Sequence, residues 1–238
     1  MRAFFTLLTV FLIAVTPFGQ TPAKMDEFYF HLADIQLLQA KPVQKAIGLT
    51  EAQRNRMNTF ADQHRAHLRS LQEQYEKEKK DIRTVQQDPK LVGYFYELKL
   101  NVMRALKPEQ LKRLGEISLQ RVGLAALTDE KVAKRIGMSN TQLAKMRQAF
   151  KDGGTKYAMA EKAAANPVLT KYKDKNVKDK NEAAALQKQF DADLGAAMQR
   201  ARPQLLAIKA KAEETMKAIL RKEQLSKYQA LMGKPFKP

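Results

Sequence analysis

The chain of 238 residues has no cysteine and no tryptophan, and aromatic residues make up only 8% of it. Without thiols it forms no disulfide, carries no lipid on cysteine and builds no thiolate metal site. Its stability must come from packing. Scarce aromatics beside abundant Ala, Lys, Gln and Leu favour long helices over sheets. Long apolar runs are also missing, except at the start. MRAFFTLLTVFLIAVTPFGQTPAK reads as Arg2, an apolar stretch from Ala3 to Val15, then Pro17, Gly19 and small or polar residues. Those are the parts of a secretory signal peptide. The apolar stretch is well short of the roughly 20 residues that a membrane-spanning helix needs. Residues 1–23 are therefore expected to be a cleaved leader, and the mature chain to be exported and soluble, in the periplasm or beyond.

Acidic residues are scarce as well: 25 Asp/Glu stand against 43 Lys/Arg, a formal net charge of +18. The excess is uneven. Residues 24–127 hold 18 basic and 13 acidic side chains, whereas 128–238 hold 24 and 12. In the cytosol such a balance would point to nucleic acid. In an exported chain it points instead to anionic lipid, envelope polymer or acidic protein surfaces. The sequence also lacks a nucleophile with a paired base, a phosphate-binding loop, an H-E-x-x-H helix and a Gly-rich dinucleotide turn. Neither catalysis nor a cofactor is expected.

What is present is a repeated phrase. KAIGLTEAQRNRM, from Lys45, returns as KRIGMSNTQLAKM, from Lys134. Leu49, Thr50 and Gln53 of the first are answered by Met138, Ser139 and Gln142 of the second, and both sets are expected to be helix-capping motifs. Thr50 and Gln53, like Ser139 and Gln142, have the spacing of a capping box, in which a hydroxyl and a glutamine satisfy each other's backbone N–H. Gly48 and Gly137 stand where a left-handed residue would end a short preceding helix. Each phrase thus predicts a short helix, a sharp corner and a long helix. Met138 also has Leu143 as a staple partner; in the first copy Arg54 takes that place and Leu49 loses its staple. In the first long helix Met57, Phe60, His64, Leu68, Leu71, Tyr75, Ile82 and Val85 form one apolar stripe, interrupted at Glu78 and ending before Asp88-Pro89. A return helix follows through LVGYFYELKLNVM, making an antiparallel hairpin. ALKPEQLKRL closes it with Leu106, Pro108 and Gln110 in register, although Lys107 replaces the capping hydroxyl. ILRKEQLSKY matches it with Leu220 and Gln224 but lacks both cap and proline, so this helix is expected to run straight through.

Four such phrases, LTEAQ, LKPEQ, MSNTQ and LRKEQ, together with Arg/Lys-rich helices and a leader, make the chain resemble the LTxxQ-motif (Spy/CpxP-like) family of exported helical proteins over residues 40–232. The resemblance implies an ATP-independent periplasmic chaperone or envelope-stress protein, with subunits forming a cradle-shaped dimer of bent hairpins. Two motif pairs in one chain imply a tandem duplication: repeats at 24–127 and 128–238, and an elongated pseudo-dimer within a monomer. The expected partners are unfolded or envelope proteins, with anionic lipid or polymer as further candidates. The alternative is an envelope metal- or stress-sensing regulator that holds a signalling partner.

The spacing between paired phrases is longer in the second copy, and its extra residues are expected in a solvated, Lys-rich tip near 166–181. Beyond it, Pro203 is expected to kink or break the helix. The first return helix is apolar on two faces. Either both are buried, or Tyr96, Leu100 and Met103 line a groove beside Arg65 and Arg69 that receives unfolded polypeptide. His64 and His67 are weak metal candidates, because a site wants three or four ligands and no third His or Cys is in range.

Overall fold

The structure, a computed structural model, describes residues 25–80, 88–173, 175 and 179–237. The protein is all-α, with no strand among the described residues. It divides into two compact units. One comprises the chain up to Gly123 with the C-terminal stretch from Gln229, and the other is Leu124–Tyr228. The leader expected at 1–23 lies outside the described residues. Among those described, no helix is long and apolar enough to cross a membrane.

The first unit opens with two aspartate caps. Asp26 starts α1 (Glu27–Leu32) by accepting from the Phe28 N–H at 2.9 Å, and Asp34 starts a 3-10 turn, Ile35–Gln39, through the Gln36 N–H at 2.9 Å. The short helix α2 (Lys41–Ala46) stops at Gly48, whose φ of +64° only glycine adopts without strain. Thr50 and Gln53 then close a capping box at the head of α3 (Glu51–Lys77). The return helix α4 (Pro89–Arg104) is capped by Asp88, and α5 (Pro108–Val122) follows. Helices α3 and α4 run antiparallel: Gln53 meets Ala105 at one end, while His64 lies against Phe95 further along. Met57, His64, Leu71 and Tyr75 of the stripe are buried in this seam.

α3 ends earlier than its stripe. Glu78 is its C-cap and Lys79 takes φ +48°. The polar break at Glu78 leaves nothing apolar to hold another turn against α4, so the helix stops there. Ile82 and Val85 lie outside the described residues. The second apolar face of α4 is covered by the N-terminal elements of the same unit: Phe30 meets Tyr96 edge-on at 6.0 Å, and Lys99 Nζ donates to the His31 carbonyl at 3.1 Å. Leu38, Val43, Ile47, Met103, Leu111, Leu114 and Ile117 complete this core. α1 and α5 pack so closely that a Cβ on Gly115 would sit 2.8 Å from Tyr29 Cδ1.

The second unit repeats the plan. A 3-10 turn, Gly123–Thr128, leads to α6 (Glu130–Arg135), Gly137 at φ +78°, and a Ser139–Gln142 capping box that starts α7 (Asn140–Tyr172). Then come α8 (Lys180–Ala218) and α9 (Lys222–Met232), whose residues from Gln229 onward belong to the first unit. Val132, Ile136 and Met146 are buried where Val43, Ile47 and Met57 are buried in the first copy. The extra residues of this copy lengthen the hairpin itself. α7 continues through Asn166 and Pro167 to Tyr172, so the first part of the expected Lys-rich tip, 166–172, is helix. Pro203 likewise sits inside an unbroken α8. Both prolines are exposed, so the carbonyls they leave unbonded four residues earlier are free to meet water. The corner after α8, by contrast, does form, although it has neither a hydroxyl cap nor a proline.

The apolar residue that heads each phrase needs a correction, because it does not cap the helix that follows. Leu49 directs its N–H backward, to the Gln44 carbonyl at 2.9 Å, and so closes the end of α2. Its half-buried side chain packs against the core of the first unit. Met138 does the same for α6, donating to the Ala133 carbonyl at 2.9 Å, and its side chain is buried. Leu106 and Leu220 donate backward to Met103 and Lys217, both at 3.1 Å. Leu49 and its three counterparts are therefore the stop of one helix and an anchor at the corner, while the hydroxyl and glutamine start the next.

A second glutamine explains the corner after α8. In the first unit Gln53 Nε2 donates to the Ala105 carbonyl at 2.7 Å and to Gln110 Oε1 at 2.7 Å. Gln110 Nε2 donates to the Gly48 carbonyl at 2.9 Å and back to Gln53 Oε1 at 3.1 Å. Each Oε1 also accepts the backbone N–H at its own helix start, from Thr50 at 3.1 Å and from Lys107 at 2.9 Å. In the second unit Gln142 bonds the Ile219 carbonyl at 2.9 Å and Gln224 at 2.8 Å, while Gln224 bonds the Gly137 carbonyl at 2.7 Å and Gln142 at 3.0 Å. Ser139 and Arg221 supply the two backbone N–H groups, at 3.1 and 3.0 Å. All four amide hydrogens and both oxygens of each pair are used, which is the condition for burying such groups without penalty. The phrases are helix starts, as their spacing predicts, and they are also the two halves of a clasp that shuts each hairpin at its base. Lys107 and Arg221 offer no hydroxyl to the N–H three residues on, yet each glutamine still accepts the N–H of the residue before its helix, and the clasp closes without the hydroxyl.

Residues Met232–Phe236 lie on α5. Arg113 Nη1 donates to Glu116 at 2.9 Å and to the Lys234 carbonyl at 2.7 Å. Gln120 Nε2 donates to the Met232 and Lys234 carbonyls at 2.6 and 2.8 Å, and its Oε1 accepts the Phe236 N–H at 2.7 Å.

Candidate functional site

The groove offered as one alternative for the first unit is closed. Met103 is 1% exposed, and Tyr96 and Leu100 pack against the same core. Burial of both faces is thus the reading that holds; periodicity leaves open only what covers the second face, because the covering elements α1 and the 3-10 turn belong to a separate stretch, Asp26–Gln39. Its two capping aspartates were the available signal. Arg65 and Arg69 are exposed on α3, with Arg65 paired to Asp62.

His64 and His67 do not converge. His64 is buried, its ring 5.0 Å from that of Phe95 and its Nε2 without a partner. Burial, and then the neighbouring His67, push its pKa below the usual 6.5, against a smaller opposing pull from Glu97. His67 instead stacks on Tyr94 at 5.2 Å. Among the described residues no three His, Asp or Glu groups gather as a metal would need. At the far end of this hairpin Asp88 accepts from the Lys90 N–H at 2.8 Å and pairs with Lys80 at 3.6 Å. Burial, reinforced by Asp88, pushes the Tyr75 hydroxyl up to about 12.

Exposed apolar side chains are found in the second unit instead. Phe150 is 44% exposed, Met159 68% and Leu169 48% on α7, Leu206 is 56% exposed on α8, and Tyr157 on α7 is similarly open. Phe150 and Tyr157 stand seven apart, two turns along one face of α7. α7 carries six Lys/Arg against two Asp/Glu, and α8 seven against five. The contacts that hold α7 to α8 are narrow. Gly153 faces Ala212 so closely that an added Cβ would lie 2.6 Å from the alanine Cβ. At the far end Asp193 accepts from the Tyr172 hydroxyl at 2.8 Å and from Lys171 Nζ at 2.7 Å, while Phe190 meets the Tyr172 ring edge-on at 5.4 Å. Lys171 and then Tyr172 hold the Asp193 carboxyl below its usual range, and Lys175 lies 4.8 Å over the Tyr172 ring. A two-helix ribbon of this kind has side chains able to make non-directional apolar contacts, set among cations. Comparison with protein-family models, with curated proteins and with solved structures gives no match.

Proposed function

We propose that the chain is an exported, LTxxQ-like duplicated hairpin protein that holds unfolded or partner polypeptides without nucleotide and without catalysis, and that its second hairpin is the working surface. The observation that carries this reading is the set of exposed large apolar side chains, Phe150, Tyr157, Met159, Leu169 and Leu206, on a ribbon with an excess of Lys and Arg. Isolated exposed apolar residues are ordinary, but five large ones confined, among the described residues, to one of two similar hairpins mark a surface kept available for contact. Apolar contact tolerates varied sequences, a thioether such as Met159 adapts to varied shapes, and positive charge speeds encounter with acidic segments. Light scattering by a reduced, aggregating protein tests the reading in the absence of nucleotide. The native chain should suppress the scattering in a salt-sensitive way, and Phe150→Ser/Tyr157→Ser/Leu206→Ser should lose most of that suppression. Equal suppression by the triple variant would remove the second hairpin from the account.

A further inference from the structure

Residues Gly233–Lys237 are not helical, yet α5 holds them through their backbone. One carboxamide, that of Gln120, donates to the Lys234 carbonyl and accepts the Phe236 N–H. Serving an acceptor and a donor two residues apart is how one residue of a neighbouring strand pairs with an extended chain. Gln120 reaches the Met232 carbonyl as well, and Arg113 takes the Lys234 carbonyl from the other side. Arg113 is itself fixed by Glu116, with which it forms a largely buried ion pair at 2.9 Å. Only two features of the tail's own side chains are read. Phe236 packs against the core of this unit. Gly233, at φ +64°, lies so near Glu116 that a Cβ would fall 2.2 Å from its carboxylate.

We propose that this face of α5 is a binding site for an extended segment of another, unfolded polypeptide, and that the chain's own tail occupies it as an internal stand-in. This rests on the function proposed above and adds a second contact point for the same class of partner. Backbone recognition by Gln120 and Arg113 is indifferent to most side chains, which suits unfolded polypeptides. The pocket under Phe236 asks for one large apolar anchor, and Glu116 asks for a small residue three positions before it. The tail is held by four side-chain-to-backbone hydrogen bonds and one half-buried ring, a set small enough to open locally while the helices remain folded.

The test uses the full-length chain. In Gly233→Val/Phe236→Ala the valine meets Glu116 and the anchor is gone, so the tail should leave its seat. A fluorescein-labelled MGKPFK peptide, followed by anisotropy, should bind this variant at least ten-fold more tightly than the native chain. Adding Gln120→Ala should abolish that gain. A peptide with Ala for its Phe should bind neither. Far-ultraviolet circular dichroism of each variant checks that the helices persist. Equal, negligible binding by the native and released chains overturns the proposal. Concentration-dependent dimerisation of the released chain with no peptide uptake also overturns it, by making a second copy the occupant. Peptide binding without any suppression of aggregation would leave the site standing and remove the function proposed above.

Discussion

The two hairpins of this chain share a base and differ above it. Both are shut by a pair of glutamines with the same donors and acceptors, down to the glycine carbonyl that each second glutamine grips. Where the first hairpin then places His64 against Phe95, the second places Gly153 against Ala212. The first is short, filled by aromatic rings and backed by α1 and the 3-10 turn. The second is longer, narrow and Ala-rich; a 3-10 turn precedes its short helix too, but within Leu124–Tyr228 no counterpart of α1 does. The clasp recurs at both bases, and a buried amide pair tolerates no partial replacement. The helices beyond it differ: one hairpin is a packed core and the other a ribbon with exposed apolar side chains.

If the clasps are equivalent, breaking either should cost about the same. Gln110→Leu leaves the Gly48 carbonyl and the Lys107 N–H unpaired and strips Gln53 of its partner, and Gln224→Leu does the same to Gly137, Arg221 and Gln142. Each should lose about 2–4 kcal/mol in urea unfolding. A cost below about 1 kcal/mol in one copy alone would show that only the other is a working clasp.

Glycines separate the hairpins by sign. Gly153→Leu forces α7 from α8 and should cost about 1–3 kcal/mol. Gly93→Ala in α4 meets no atom within 4 Å and should gain about 0.5–1 kcal/mol from helix propensity. Thermal melts followed by circular dichroism read both. The helix starts give smaller effects. Thr50→Ala and Ser139→Ala should each lose about 1 kcal/mol, whereas Lys107→Ser supplies a missing cap and should gain about 0.5 kcal/mol.

The last distinction is a dependence on pH, which only the first hairpin should show. All three histidines, His31, His64 and His67, lie in the first unit. The folded pKa of His64 is below its unfolded one, so the unfolded chain takes up the proton first. The stability tied to its neutral form is complete above the unfolded value near 6.5 and is lost as pH falls through the folded value. Groups facing it are His67 on α3 and Glu97 on α4. Hydrogen exchange, corrected for intrinsic rates, should show α3 and α4 less protected at pH 5.5 than at 7.5, with α7 and α8 unchanged. His64→Leu should abolish the difference.

Much of this was legible in the residues. The capping boxes at Thr50 and Ser139, the left-handed glycines and the apolar stripe to Tyr75 follow from local spacing, and the structure has each of them. Leu49 was placed in the right phrase with the wrong task, since spacing shows that it adjoins a helix start and not that its N–H serves the helix behind it. The clasp was not legible, because i,i+3 spacing speaks only of one helix start while each glutamine's partner lies 57 or 82 residues away. Lys107 and Arg221 looked like decay of the phrase for that reason. A kink or break is expected at Pro203 because proline's local cost is certain, whereas the packing of Ala197 and Leu205 that carries the helix past it is not visible in a short window. The Tyr96–Met103 groove failed on a similar point. An apolar helix face says that it must be covered, and leaves open by what.

The most direct test of the division of labour is hydrogen exchange on the native chain bound to a reduced, unfolded protein. The account predicts new protection along 143–172 and 186–212, with 57–75 and 91–104 unchanged. Protection confined to the first hairpin, with the Phe150 and Tyr157 segment exchanging as in the free chain, would contradict it.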